Sequence, residues 1–207
     1  ATLPGAKLIA LDATTGRERW RFDASADAAA RPDPRPKAEF ITNRNRGVTY
    51  WVDGDDRRLL HTAGHFLYAI DPRTGRPIAG FGDGGRVDFN VGLGRDPTRM
   101  ALHSSTTPGA IFGHLFFLPI RTNEGPGPSA PGHIRAFDVR SGQVVWTFRT
   151  IPHPGEFGYE TWPPEAWRFA GGANCWAGMA VDRDRGLLFV PTGSPTWAST
   201  STNATRQ

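Results

Sequence analysis

The chain has 207 residues, enough for one sizeable domain, and its 25 Gly and 18 Pro beside an apolar fraction of 38% suit many short strands and long loops better than a helical bundle. The net charge is +4 with basic and acidic residues interspersed, which argues against nucleic-acid binding; the densest basic stretch, Arg31–Lys37, is broken by three prolines and reads as a solvated loop. No run of about eighteen apolar residues offers a membrane span, and Ala1–Leu8 does not read as a signal peptide.

Three segments carry nearly the same text: LIALDATTGRERWRF at Leu8–Phe22, LYAIDPRTGRPIAGF at Leu67–Phe81 and IRAFDVRSGQVVWTF at Ile134–Phe148. Each opens with an apolar run too short for a helix and suited to a strand. Each continues through D-x-x-[TS]-G, in which Gly takes positive φ without steric cost and the Asp carboxylate accepts backbone N–H groups. The next run is expected to return antiparallel, ending in Trp-x-Phe in the first and third copies, whereas the second has Ala79 in place of Trp. The copies recur at about sixty residues or slightly more, the spacing of one four-stranded blade plus loops.

Between the copies, Asp23–Glu39 lacks periodicity and reads as a loop. Asn45–Trp51 enters a strand, and Asp53–Leu60 makes a polar turn before another. Gly80–Asp96 reads as a long inter-strand loop, since it lacks the strand-then-helix setting of a nucleotide-binding glycine motif. Ile111–Ile120 reads as one strand, Arg121–Gly132 as a Pro/Gly loop, and Ile151–Trp162 as irregular chain. Gly171–Met179 leads into a strand, Asp182–Gly186 turns, and Leu187–Pro191 returns. Residues 196–207 read as an irregular tail, so the expected organisation is a single partial domain over 1–207. Three of the seven Trp (Trp162, Trp167, Trp176) fall close together, suiting either blade packing or an aromatic surface for a flat ligand. The six His show no zinc spacing, and the single Cys175, beside Trp176, reads as a buried thiol and excludes an internal disulfide.

The repeat A-x-D-x-x-T-G-x-x-x-W resembles the tryptophan-docking motif of the pyrroloquinoline quinone (PQQ)-dependent, or quinoprotein, dehydrogenases. In that family the Trp of one blade stacks near the Gly of its neighbour, so Ala79 implies a missing or weaker contact in the second copy. Longer strings resemble the family too: Arg46–Trp51, Pro131–Asp138, Thr150–Trp162, Gly171–Trp176 and Pro191–Pro195. The resemblance implies an all-β fold, about three blades of an eight-bladed β-propeller. It also implies oxidation of a sugar or alcohol hydroxyl by hydride transfer to PQQ, with Ca2+ as Lewis acid, a quinone or cytochrome as electron acceptor, and a periplasmic location. By motif, Arg46 would pair with a PQQ carboxylate, Ser105 would donate a hydroxyl, and Trp176 would stack on the ring, with Gly171, Gly172 and Gly178 permitting close approach. Glu124 and Ser194 would ligate the metal; Ser stands where the alcohol-oxidising branch has Asn.

The chain also departs from the family. Phe40–Asn43 has no vicinal cysteines for the opposite face of PQQ, and the general-base Asp and metal-ligating Asp lie in the family after the position of Pro195. The resemblance therefore implies that this chain alone is inactive. A non-enzymatic propeller scaffold for protein–protein contact, like the outer-membrane assembly scaffold sharing the repeat, would need the docking repeats but no convergence of Arg46, Glu124 and Trp176. A lectin-like propeller has only the aromatic richness in its favour.

Overall fold

The computed structural model describes residues 2–3, 5–30, 45–98, 100, 104–123 and 129–196. Three antiparallel sheets follow one another along the chain. The first joins β1 (Thr2–Leu3), β2 (Lys7–Leu11) and β3 (Glu18–Phe22) in that order, and a helix α1 (Ala24–Ala30) follows. The second is a meander of β4 (Thr49–Asp53), β5 (Asp56–Ala63), β6 (Phe66–Ile70) and β7 (Arg86–Asp88). The third is a meander of β8 (Ala110–Phe112), β9 (Leu115–Phe117), β10 (Ile134–Asp138) and β11 (Val144–Phe148). After a short helix α2 (Ala166–Phe169) come β12 (Gly171–Gly172), the hairpin β13 (Ala180–Asp182) and β14 (Leu187–Phe189), and β15 (Pro195–Thr196), which pairs back onto β12. Four-stranded meanders packed in series are blades, and the chain is a partial β-propeller.

The three repeat turns share one hydrogen-bond pattern. The Asp N–H donates to the residue after the Gly, and the Gly N–H returns to the Asp carbonyl: Asp12 to Arg17 at 2.8 Å, Asp71 to Arg76 at 2.9 Å and Asp138 to Gln143 at 2.8 Å, with 2.8 Å for each return. Gly16, Gly75 and Gly142 all take φ between 70° and 76°. The Asp12 carboxylate accepts the N–H groups of Thr14 and Thr15, and the Asp138 carboxylate those of Arg140 and Ser141. Copies one and three also share register: Ala10 faces Trp20 and Ala136 faces Trp146, each with a shift at the next residue.

The core lies between the sheets. Leu8, Phe22, Tyr68 and Ile70 fill the space between the first and second, with Trp20 against them. Trp51, Leu60, Leu67, Phe81, Phe116 and Phe137 fill the space between the second and third. The Trp20 indole lies over Gly75, where an added Cβ would come within 2.5 Å of the ring, and its Nε1–H donates to Pro72 O at 2.9 Å.

Several expectations need correction. Asp23–Glu39 is not all loop: α1 forms because the Asp23 carboxylate caps Ser25 N–H at 2.9 Å and an Ala-rich run follows; residues 31–39 lie outside the described set. Ile111–Ile120 is not one strand but most of the β8–β9 hairpin, folded at Gly113 with φ 57°. Gly80–Asp96 contains β7, which takes the outer edge of the second sheet. The second repeat therefore returns only through one bridge, Ile70 to Pro77, before the chain swings out. The docking contact expected to be lost at Ala79 is replaced. Phe81 and Val87 cover Gly142, and Gly82 N–H donates to Ser141 O at 2.8 Å. The buried Arg58 guanidinium donates to Val139 O at 3.2 Å and Arg140 O at 2.8 Å; Val139 holds the repeat position of Pro72, the acceptor for the Trp20 indole.

Candidate functional site

The string Asn45-Arg46-Gly47 is an anchored mount for a guanidinium. The Asn45 carboxamide donates to Thr62 O at 2.8 Å and to Thr62 Oγ1 at 3.1 Å, and its oxygen accepts Gly47 N–H at 2.8 Å. Arg46 N–H donates to Thr106 O at 2.7 Å. Gly47 must be glycine for packing reasons, since a Cβ there would lie 2.6 Å from Pro108 Cγ. The Arg46 side chain then reaches the hydroxyls of Thr106 and Thr107 at 3.3 and 3.4 Å, the long end of hydrogen bonding.

Three segments are tied together around this mount. Ser104 and Arg121 exchange backbone hydrogen bonds of 3.1 and 2.7 Å. Ile120 N–H donates to Cys175 O at 2.8 Å, and the Asn174 side chain grips the other side, donating to Ile120 O at 2.7 Å and accepting Thr122 Oγ1–H at 2.9 Å. Thr107 Oγ1–H closes the ring by donating to Trp176 O at 2.9 Å. They bound a cavity of about 250 Å3, lined by Arg46, Thr106, Thr107, Pro119, Ile120, Arg121 and Trp176. Among the described residues the lining includes two Arg, two Thr and one Trp, and no Asp or Glu. Trp176 is 52% exposed, whereas Trp51 in the core is 5% exposed, so the Trp176 indole faces open space. Such a set suits a flat anion, stacked on the indole with its carboxylates toward the guanidiniums.

Of the residues singled out from the sequence, Arg46 and Trp176 share this cavity. Ser105 is buried beside it; its Oγ points to Thr107 O at 3.5 Å and its carbonyl accepts Thr62 Oγ1–H at 3.0 Å, so Thr106 and Thr107 present the hydroxyls instead. Glu124 lies outside the described residues. Ser194 is exposed and absent from the lining; its carbonyl accepts Ala173 N–H at 3.0 Å. Among the described residues no three His, Cys, Asp or Glu side chains are grouped as metal ligands. Gly171 and Gly172 do not make room for a ligand: Gly171 packs on Ser129, and Gly172 on Ser194 and Thr196. Cys175 is fully buried, burial pushes its thiol pKa up, and its sulfur contacts Gly178 O at 3.2 Å, a structural rather than nucleophilic setting. Arg121 escaped the sequence reading, because only the long-range bridge to Ser104 brings it to the cavity.

Comparison with known proteins agrees with this architecture. Glycerol dehydrogenase large subunit of Gluconobacter oxydans is 30% identical over 196 residues, a stretch covering 90% of this chain and 25% of that protein. Quinohemoprotein alcohol dehydrogenase ADH IIB of Pseudomonas putida is 28% identical, over 91% of this chain and 25% of its own. The chain thus spans about a quarter of the length of the curated relatives it matches. Among solved structures, quinohemoprotein alcohol dehydrogenase ADHIIG from Pseudomonas putida HK5 shares the fold with a TM-score of 0.68 at 23% identity, over 94% of this chain and 27% of that one. Residues 1–206 match the family described as "PQQ: Glucose/ethanol/alcohol dehydrogenase, beta-propeller domain", and with its serial blades and docked indole the chain belongs to that family.

Proposed function

We propose that this chain is the cofactor-gripping part of a PQQ-dependent dehydrogenase that oxidises a sugar or alcohol hydroxyl. The observation that carries the reading is one cavity on which Arg46 and Trp176, remote in sequence, meet Thr106 and Thr107. The donor set fits PQQ, a flat tricyclic ortho-quinone bearing three carboxylates. The Arg46 fork is matched to a carboxylate and the Trp176 face to the ring, with the Thr106 hydroxyl donating at the edge. When bound, PQQ supplies the hydride acceptor, with Ca2+ as Lewis acid on its quinone oxygen. Glu124 and Ser194 are the proposed metal ligands on motif grounds. The reading extends to a periplasmic enzyme passing electrons to a quinone or cytochrome, and to a single partial domain over 1–207. It assigns no general base to any residue of this chain.

The test is calorimetric titration of the chain with PQQ. We expect saturable binding, weakened about tenfold or more in Arg46→Ala and in Trp176→Ala, the loss typical of one charge-assisted or stacking contact. A dye-linked assay with glucose and glycerol, PQQ and Ca2+ should show no turnover by this chain alone. Absence of PQQ binding would overturn the cofactor reading and leave a non-enzymatic scaffold.

A further inference from the structure

We infer that Thr62 is a positioning residue for the cofactor cavity: from a buried place on β5 it ties the Arg46 mount to the Thr106–Thr107 wall, and so aims the Arg46 guanidinium at a bound carboxylate. The inference rests on the PQQ reading and deepens it. Thr62 is 6% exposed and is not among the residues lining the cavity, so it acts through the groups it holds. β5 lies between β4 and β6 in its sheet, and Thr62 faces Leu67 across the β5–β6 ladder. On the other side the β4–β5 ladder stops at the Thr49–Leu60 pair.

Beyond that pair, side-chain hydrogen bonds hold the chain against β5. Asn45 Nδ2–H donates to Thr62 O at 2.8 Å and to Thr62 Oγ1 at 3.1 Å, and Asn45 Oδ1 accepts Gly47 N–H at 2.8 Å, which brackets Arg46 on both sides. Thr62 Oγ1–H in turn donates to Ser105 O at 3.0 Å. One hydroxyl therefore accepts from the segment that carries Arg46 and donates to the segment that carries Thr106 and Thr107. Arg46 spans the same two segments, through its N–H to Thr106 O at 2.7 Å and its guanidinium to the Thr106 and Thr107 hydroxyls. A guanidinium held in place before the ligand arrives loses less freedom on binding, and a strand holds it more exactly than a loop does. Val at 62 would keep the shape and the backbone carbonyl but make neither hydroxyl bond; Ser would keep both.

The experiment is calorimetric titration of PQQ into the wild-type chain, Thr62→Val, Thr62→Ser, Arg46→Ala and the double variant Arg46→Ala/Thr62→Val, with a melting curve for each. We expect Thr62→Val to weaken PQQ about fivefold, the fold-change of one net hydrogen bond, and Thr62→Ser to stay within about twofold of wild type. In the Arg46→Ala background the further loss from Thr62→Val should be less than about twofold, because a tie that works through Arg46 has nothing left to aim. Asn45→Ala cuts the same tie from its less buried side and should match Thr62→Val; it carries the test if the Thr62→Val chain does not fold. Unchanged PQQ affinity on cutting the tie, equal losses in Thr62→Val and Thr62→Ser, or the full further loss in the Arg46→Ala background overturns the role of Thr62 while leaving the cofactor reading in place. A wild-type chain that ignores PQQ overturns both together.

Discussion

At Gly75 the backbone conformation and the neighbour impose the same residue. Its φ is +72°, and an added methyl would lie 2.5 Å from the Trp20 ring. Gly75→Ala is therefore expected to cost about 2–4 kcal/mol, from backbone strain plus overpacking, read as a lower urea midpoint with unchanged slope. His133 offers a pH test. It is 4% exposed, and burial first, then the charges of His153, Arg149, Arg135 and Arg95, push its pKa down to about 3. A histidine depressed in the folded state protonates in the unfolded chain first. Its stabilising effect is thus complete above the unfolded pKa near 6.5 and is lost as pH falls toward 3, by on the order of 5 kcal/mol. His133→Leu should flatten that acid limb in unfolding measurements from pH 7 to 3; an unchanged limb would place the acid sensitivity elsewhere. The repeat turns were legible residue by residue, because a capping carboxylate and a positive-φ glycine act within five positions. Arg46 and Trp176 were legible only through longer motifs that a family resemblance supplied. Arg121 and the hydroxyls of Thr106 and Thr107 were not, since their importance arises from segments joined across the fold.

Between elements, the second blade shows how one docking contact is rebuilt from different parts. Its outer chain leaves the sheet after Pro77, so no indole can stand over Gly142; Phe81 and Val87 cover the glycine. The donor that the indole would have provided comes instead from Arg58 on β5, held by Asp56 at 2.9 Å. Arg58→Met would keep much of the stem but leave the carbonyls of Val139 and Arg140 without that donor. We expect a loss of about 1–3 kcal/mol and a lower melting temperature, whereas the exposed Arg19→Met should change little. From the sequence, Ala79 pointed to a weakened joint. The compensation was hidden because Arg58 reaches its acceptors from another strand. Two local errors have similarly plain causes. The α1 helix is only seven residues, too short for periodicity to show. In Ile111–Ile120 the apolar run continues through Gly113, where the chain reverses.

For the molecule as a whole, large apolar side chains stand exposed on β11 and β14. Val145 is 53% exposed, Phe148 63%, Leu187 47% and Phe189 55%. Trp146 repeats the position of Trp20 but packs on Phe117 at a ring distance of 5.6 Å, with no glycine turn beneath it among the described residues. Patches of this kind favour association. The isolated chain should enhance the fluorescence of a hydrophobic dye and sediment faster as its concentration rises; a dye-silent monomer at all concentrations would contradict this. The propeller class was legible at this scale because a repeat advertises itself. The extent of exposed apolar surface was not, since it depends on which strands are covered.

The three larger sheets are also assembled in chain order, each from its own continuous stretch. During synthesis β4–β7 can close once residue 88 has cleared the ribosome, and β8–β11 once residue 148 has, without waiting for distant partners. The cavity cannot form so early. Its floor, Trp176, emerges well after the Arg46 mount, so competence to hold a ligand is acquired late, on a scaffold already standing.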